Sequence, residues 1–225
     1  PVDIGPDLVQ EILQNTTLHP RATSEIEIRL RSYADRKGVT QTFFSNTLDL
    51  LETFQEWESV EEKKSIDYYF GEDHRPTQQA DGTVRTIKKK KVCSTDVSVN
   101  HPQIAFCRIS HKTEEEEKHP PALVQVTLAR FKDRRSFVYR GWSYDLTRVW
   151  EGSEVSEVKS RPTLGFPPDV YEVEIERLPE HPFRTLDHLV VSLLLKAKSI
   201  LASDDLRFQC SNTRPTRPTE RPSLL

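Results

Sequence analysis

Two short stretches constrain the fold of this chain more than anything else in it. SEIEIRLR (residues 24–31) sets Glu25, Glu27, Arg29 and Arg31 at alternate positions, with Ile26, Ile28 and Leu30 between them. YEVEIER (171–177) does the same with Glu172, Glu174 and Glu176 against Tyr171, Val173 and Ile175. Side chains along a β-strand point to opposite faces in turn, so each stretch reads as a strand with one ionic and one apolar face. Two stretches between them continue the pattern: ARFKDRRSF aligns Arg130, Lys132 and Arg134, and SYDLTR alternates Ser143, Asp145 and Thr147 with Trp142, Tyr144 and Leu146.

For a single strand of this kind, the ordinary partner of the ionic face is water. Solvation gives no reason, however, for acids to concentrate on two strands and bases on a third. A sheet that closes on itself, ionic faces inward and apolar faces packed on helices, does give one. Buried unpaired charge is costly, so such a lumen requires acids, bases and ligands nearly to balance. A barrel of about eight strands has an interior that side chains fill or that admits one small ligand. Carboxylates two residues apart on a strand stand about 7 Å apart. Neighbouring strands can converge such carboxylates on one oxygen-loving ion, Mg²⁺ or Mn²⁺. Arg and Lys facing that ion are the groups that bind phosphate.

Composition narrows the alternatives. The 35 acidic and 32 basic residues leave a net charge of −3, so a polyanion site has to be local. Cys93, Cys107 and Cys210 are three widely spaced cysteines without a CxxC pair, which argues against a disulfide framework and a zinc site and predicts a reducing, intracellular compartment. The longest apolar run, LVVSLLL, is too short to cross a bilayer, and no membrane partner is expected. Methionine is absent, which is expected of a fragment or of a sequence lacking modified residues, so local spacings carry the argument.

PDLVQEILQN (6–15) and TQTFFSNTLDLLETFQEW (40–57) read as amphipathic helices, the second with a Phe43, Phe44, Thr47, Leu48, Leu51, Phe54 stripe. Residues 64–175 read as a run of strands, and TLDHLVVSLLLKAKSILA (185–202) as a helix packed under the sheet. The predicted class is α+β: a closed antiparallel barrel with flanking helices over residues 1–206. Residues 207–225, with repeated Arg-Pro and Thr, read as a disordered tail or linker.

Taken in order, the first-strand ExExR, the R-x-K-x-R stretch, the D-x-T stretch and the late ExExE resemble the triphosphate tunnel metalloenzymes. Within them the chain resembles most the metal-dependent RNA 5′-triphosphatases of fungi, protists and large DNA viruses, which act first in mRNA capping. The resemblance runs from about Glu25 to Glu176. It implies hydrolysis of the γ-phosphate of triphosphate-ended RNA with Mn²⁺ or Mg²⁺, in the nucleus or, for a viral protein, in the viral factory or virion. Nucleoside triphosphates are implied as further substrates, and a guanylyltransferase in cis or trans as a partner; the oligomeric state stays open.

By the same resemblance Glu25, Glu27 and Glu176 are the metal ligands, while Glu172, Glu174 and Asp145 are supporting acids of the lumen. Arg130, Lys132 and Arg134 match the basic strand, Arg85 an arginine reaching the γ-phosphate, and Glu114 the glutamate that orients water. Glu115, Glu116 and Glu117 follow it directly, and the run can equally be a solvated acidic loop; Lys88 to Lys91 are equally ambiguous. Arg29 stands where much of the superfamily has lysine. Ser143 replaces a base, so a phosphate contact is either missing or supplied by Arg108. Val124, Val126 and Leu128 share parity with Arg130, so that strand is expected either to change environment or to bulge before its basic half. The alternatives are another tunnel-fold activity, on tripolyphosphate, thiamine triphosphate or free nucleotides, and a barrel that binds polyphosphate or RNA ends without catalysis.

Overall fold

The computed structural model describes residues 4–15, 24–34, 37–70, 74–117, 126–202, 206 and 208–210. In chain order the elements are α1 (Pro6–Asn15), β1 (Ser24–Ser32), α2 (Gln41–Thr53), β2 (Ser59–Tyr69), β3 (His74–Gln79), β4 (Val84–Val99) and β5 (Ile104–Glu117). They continue with β6 (Leu128–Tyr139), β7 (Trp142–Gly152), α3 (Val155–Ser160), β8 (Val170–Arg177), α4 (Leu186–Leu201) and β9 (Phe208–Cys210). The strands pair antiparallel in the order β3-β2-β6-β7-β8-β1-β5-β4, and β4 pairs back onto β3. That last pairing closes an eight-stranded barrel and leaves β9 as a short flap on β4. Among the described residues no helix is long and apolar enough to cross a membrane.

The apolar parities of the strands face outward onto the helices. Ile26, Ile28 and Leu30 of β1 and Val173 and Ile175 of β8 are fully buried in one cluster with Leu189, Val190, Leu193, Leu194 and Ala197 of α4. Burial of each such Ile or Leu side chain is worth about 1.5–3 kcal/mol. On the neighbouring wall, α2 packs Phe44 against Tyr171, with ring centroids 5.1 Å apart. Both helices start at a threonine cap: Thr40 accepts from Phe43 N, and Thr185 accepts from His188 N. The β6–β7 hairpin turns on Arg140 and Gly141, with φ of 48° and 75°. Two consecutive positive φ values match the strand twist, and glycine supplies the second without strain.

Several expectations are corrected here. HRPTQQ forms β3, which was not foreseen, and the run ending EEEE is the end of β5, not a loop. The run of strands that follows α2 begins at Ser59 and not at residue 64. β6 pairs with β2 and β7 without a register shift, so of the two alternatives for this strand, a change of environment and a bulge, the bulge is absent. Register shifts fall instead in β4, between Lys91 and Cys93, and in β1, between Arg31 and Ser32. β6 starts only at Leu128, which leaves Val126 outside the strand; Val124 lies outside the described residues. β9 lies within the segment read as a tail, of which 207 and 211–225 lie outside the described residues.

Candidate active site

Cross-strand partners in an antiparallel sheet point to the same face, so the register carries one face around the barrel. Glu25 pairs with Lys112 and Glu27 with Ser110 on β5. On the other side, Glu27 pairs with Glu176 and Arg29 with Glu174 of β8. Ser143, Asp145 and Thr147 pair with Glu176, Glu174 and Glu172. Arg134 follows Thr147, and Lys63, Ser65 and Asp67 follow Arg134, Lys132 and Arg130. Thr77 meets Asp67, Arg85 meets Thr77, and Lys89 meets Glu114. The ionic parity therefore faces inward on all eight strands. It encloses a cavity of about 320 Å³ lined by eight basic and six acidic side chains.

Acids gather at one end of this cavity. Burial works to raise the Glu25 carboxyl, but the hydrogen bond with Glu114 and the ammoniums of Lys89 and Lys112 outweigh it and hold Glu25 well below the usual range. Glu114 is pushed up by burial and by the same hydrogen bond, while Lys89 pairs with both carboxylates. Glu176 is pushed up to about 8 by burial and by the facing carboxylates of Glu25, Asp145 and Glu27. A second cavity, of about 360 Å³, opens from this end past Arg85, Glu116 and Pro179.

The basic wall is held by an outer ring of acids. Lys132 Nζ stands 2.6 Å from Asp67 Oδ2; burial lowers its pKa to about 8 despite that partner. Arg134 donates from Nε to Thr147 at 3.0 Å, from Nη1 to Asp145 at 2.8 Å and from Nη2 to Glu174 at 3.2 Å. Arg29 forms ion pairs with Glu174, Glu27 and Glu172. Burial raises Glu172, but Arg29, Lys132 and Arg130 outweigh it and bring it down to about 2.

Of the residues singled out from sequence, Glu25, Glu27, Arg29, Arg85, Glu114, Lys132, Arg134, Glu174 and Glu176 line the cavity together. Asp145 and Glu172 stand behind it as partners of Arg134 and Arg130. Arg130 itself is taken up by Glu151 at 2.8 Å and Glu172 at 3.1 Å. Arg108 does not reach the cavity: Asp96 holds it through two bonds of 2.6 and 2.8 Å. Ser143 turns its hydroxyl onto Asp145.

Asp67, Arg75, Lys89 and Lys112 are cavity residues that sequence reasoning did not assign. Asp67 had a readable signal, since Ser65 and Asp67 alternate with the apolar Ile66 and Tyr68. Arg75 had none, because β3 is polar on both faces.

The acid end suits a hard divalent cation. Glu25, Glu27 and Glu176 offer oxygen donors from adjoining strands, and among the described residues Glu176 has no ion pair of its own. Among the described residues no three His, Cys, Asp or Glu side chains stand in ligating geometry. Lys89 and Lys112 lie on Glu25 and Glu27 instead.

The same architecture occurs in solved structures. S. pombe Pct1 RNA triphosphatase is similar with a TM-score of 0.59 and 19% identity, over 77% of this chain and 80% of that one. The mimivirus capping enzyme triphosphatase is similar with a TM-score of 0.60 and 12% identity, over 90% of this chain and all of the other. At these identities the likeness is one of fold. No match was found among curated protein sequences. The family described as mRNA capping enzyme, beta chain, matches residues 59–189, from the first residue of β2 into α4. That span is more than half of the chain and holds the basic wall and the late acidic strand, so the chain belongs to the mRNA capping enzyme, beta chain family.

Proposed function

We propose that the protein is a metal-dependent RNA 5′-triphosphatase, which hydrolyses the γ-phosphate of triphosphate-ended RNA to leave a diphosphate end for guanylylation. The observation that carries this reading is the charge layout of the cavity: eight bases against six acids, with Glu176, which has no ion pair among the described residues, at the acid end. A triphosphate chain with one divalent cation brings a net charge of about −2, which the surplus of bases offsets.

Glu25, Glu27 and Glu176 would hold the cation, Mn²⁺ or Mg²⁺. When bound, it polarises a phosphate oxygen and neutralises charge. The chain's own groups do the rest. Lys132, Arg134, Arg75 and Arg29 are already fixed by Asp67, Asp145, Glu174 and Glu172, so they meet the phosphate without first being ordered. Arg85, which lines the cavity at the same end as Glu114 and Glu176, would reach the γ-phosphate. Glu114 orients water for in-line attack on the γ-phosphorus, and its burial makes it a better base than a solvated carboxylate. The bond to the β-phosphate breaks and inorganic phosphate leaves. Arg108 and Arg130 have carboxylate partners and act as supports of the wall.

Two partners follow from this reading. The diphosphate end is the substrate of a guanylyltransferase, in cis or trans. S. pombe Pct1, whose structure with the Spt5 CTD is similar to this chain at a TM-score of 0.56, sets a precedent for a second protein partner. The test is phosphate release from γ-labelled triphosphate RNA with Mg²⁺, Mn²⁺ or no metal, set beside free nucleotide and tripolyphosphate. Metal-dependent release fastest on RNA supports the reading. Tight binding without release would leave a non-catalytic barrel, and preference for tripolyphosphate another tunnel-fold activity.

A further inference from the structure

Lys112 Nζ stands 2.9 Å from Glu25 Oε1 and 2.6 Å from Glu27 Oε1, between the carboxylates assigned to the cation. The strand register puts it there: Lys112 is the cross-strand partner of Glu25. Lys89 reaches Glu25 from the next strand, and Arg29 Nη2 lies 3.5 Å from Glu27 Oε1. Each of the two acids is thus already met by two protein cations. A divalent ion cannot join them while an ammonium bridges the pair, because like charges a few ångströms apart in a poorly solvated lumen repel strongly. The ammonium has somewhere to go, since Lys112 lines the same cavity as Lys132 and Arg134.

We propose that Lys112 is the resident counter-ion of the Glu25–Glu27 pair, that a divalent cation enters by displacing its ammonium, and that the displaced ammonium turns to the phosphate chain. Metal and anion binding are then coupled through one side chain. The inference rests on Glu25, Glu27 and Glu176 being the metal ligands.

Mn²⁺ binding to the full chain, read from the electron paramagnetic resonance of the free ion with no substrate present, tests it. Lys112→Met removes the competitor and should bind Mn²⁺ about tenfold more tightly than the parent, with Lys112→Gln behaving alike and Lys112→Arg, which keeps the charge, within about threefold of it. Saturating inorganic phosphate should tighten Mn²⁺ binding in the parent protein and have little effect in Lys112→Met. Equal or weaker Mn²⁺ binding in both neutral variants, or phosphate coupling that survives in them, overturns the displacement. Glu27→Gln separates this from the underlying assignment: if it binds Mn²⁺ as the parent does, the metal ligands themselves are wrong and the inference falls with them. If Glu27→Gln loses Mn²⁺ while Lys112→Met is unchanged, only the displacement fails.

Discussion

Arg134 Nη2 lies 3.2 Å from Glu174 Oε2, although the two residues stand on β6 and β8 with β7 between them. A flat sheet would hold such side chains about two strand spacings, roughly 9–10 Å, apart at their backbones with both faces wet. Here the wall curves, with Glu174 buried and Arg134 half-buried. Glu174→Leu should therefore leave Arg134 and Arg29 short of a partner and lower stability by about 3–5 kcal/mol, the usual result of removing one member of a buried pair. Val173→Glu puts a carboxylate into the fully buried outer cluster and should be at least as damaging. Denaturant midpoints measured without metal check both; two midpoints near that of the parent would mean an open, solvated sheet.

Glu27→Gln and Glu176→Gln should each abolish turnover while leaving the circular dichroism spectrum unchanged. Each removes one anionic oxygen donor from the acid end and keeps the side chain's size. Metal-dependent phosphate release at the parent rate in either variant would remove that residue from the ligand set.

Lys132→Ala and Arg134→Ala should reduce kcat by about 10²–10³-fold, the typical loss of a preorganised donor aimed at developing charge. Arg134→Ala also leaves Asp145 and Glu174 without their bridge, so its midpoint has to be measured alongside its rate. Arg135, of the opposite parity, pairs with Glu52 on the outer surface, and Arg135→Ala should change the rate by less than about threefold. A sensitive Arg135 would mean that the β6 register is wrong.

In the proposed mechanism Lys132 would contact phosphate only while protonated, and its pKa is brought down to about 8 by burial. As pH rises through that value the free protein loses the ammonium, so kcat/KM should fall on the alkaline side with a limb near pH 8. Lys132→Arg keeps its charge through this range and should shift the limb upward or remove it. The same limb in Lys132→Arg would assign it to another group.

The alternation in β1, β7 and β8 was legible because each of these strands has one largely apolar and one ionic or polar parity, and the apolar one packs in the outer cluster with the helices. β6 was legible from the inward spacing of Arg130, Lys132 and Arg134 alone, its outer parity mixing Asp133 and Arg135 with Phe131 and Phe137. β3 was not, because its inward residues Arg75, Thr77 and Gln79 face a charged lumen and Pro76 interrupts any strand signal. The four lysines at 88–91 were ambiguous for a physical reason: alternate members face opposite ways, and the bulge after Lys91 then exchanges the parities. Only the pairing of Lys89 with Glu114 shows which lysine enters the cavity. Lys112 was hidden by its neighbours, since His111 and Thr113 give its parity no apolar contrast.

β1 has little left for water: its isoleucines and leucine lie under the helices, its glutamates and Arg31 are buried, and only Arg29 is partly exposed. In an unclosed sheet those ions would keep their hydration, so nearly all of the cost of drying them falls on the one event that closes the ring of strands. Folding of this chain should accordingly end on an electrostatic step and not on hydrophobic collapse. Added salt, which screens the hydrated ions of the open sheet more than the paired ions of the closed one, should act on closure while leaving earlier burial of the apolar face largely untouched.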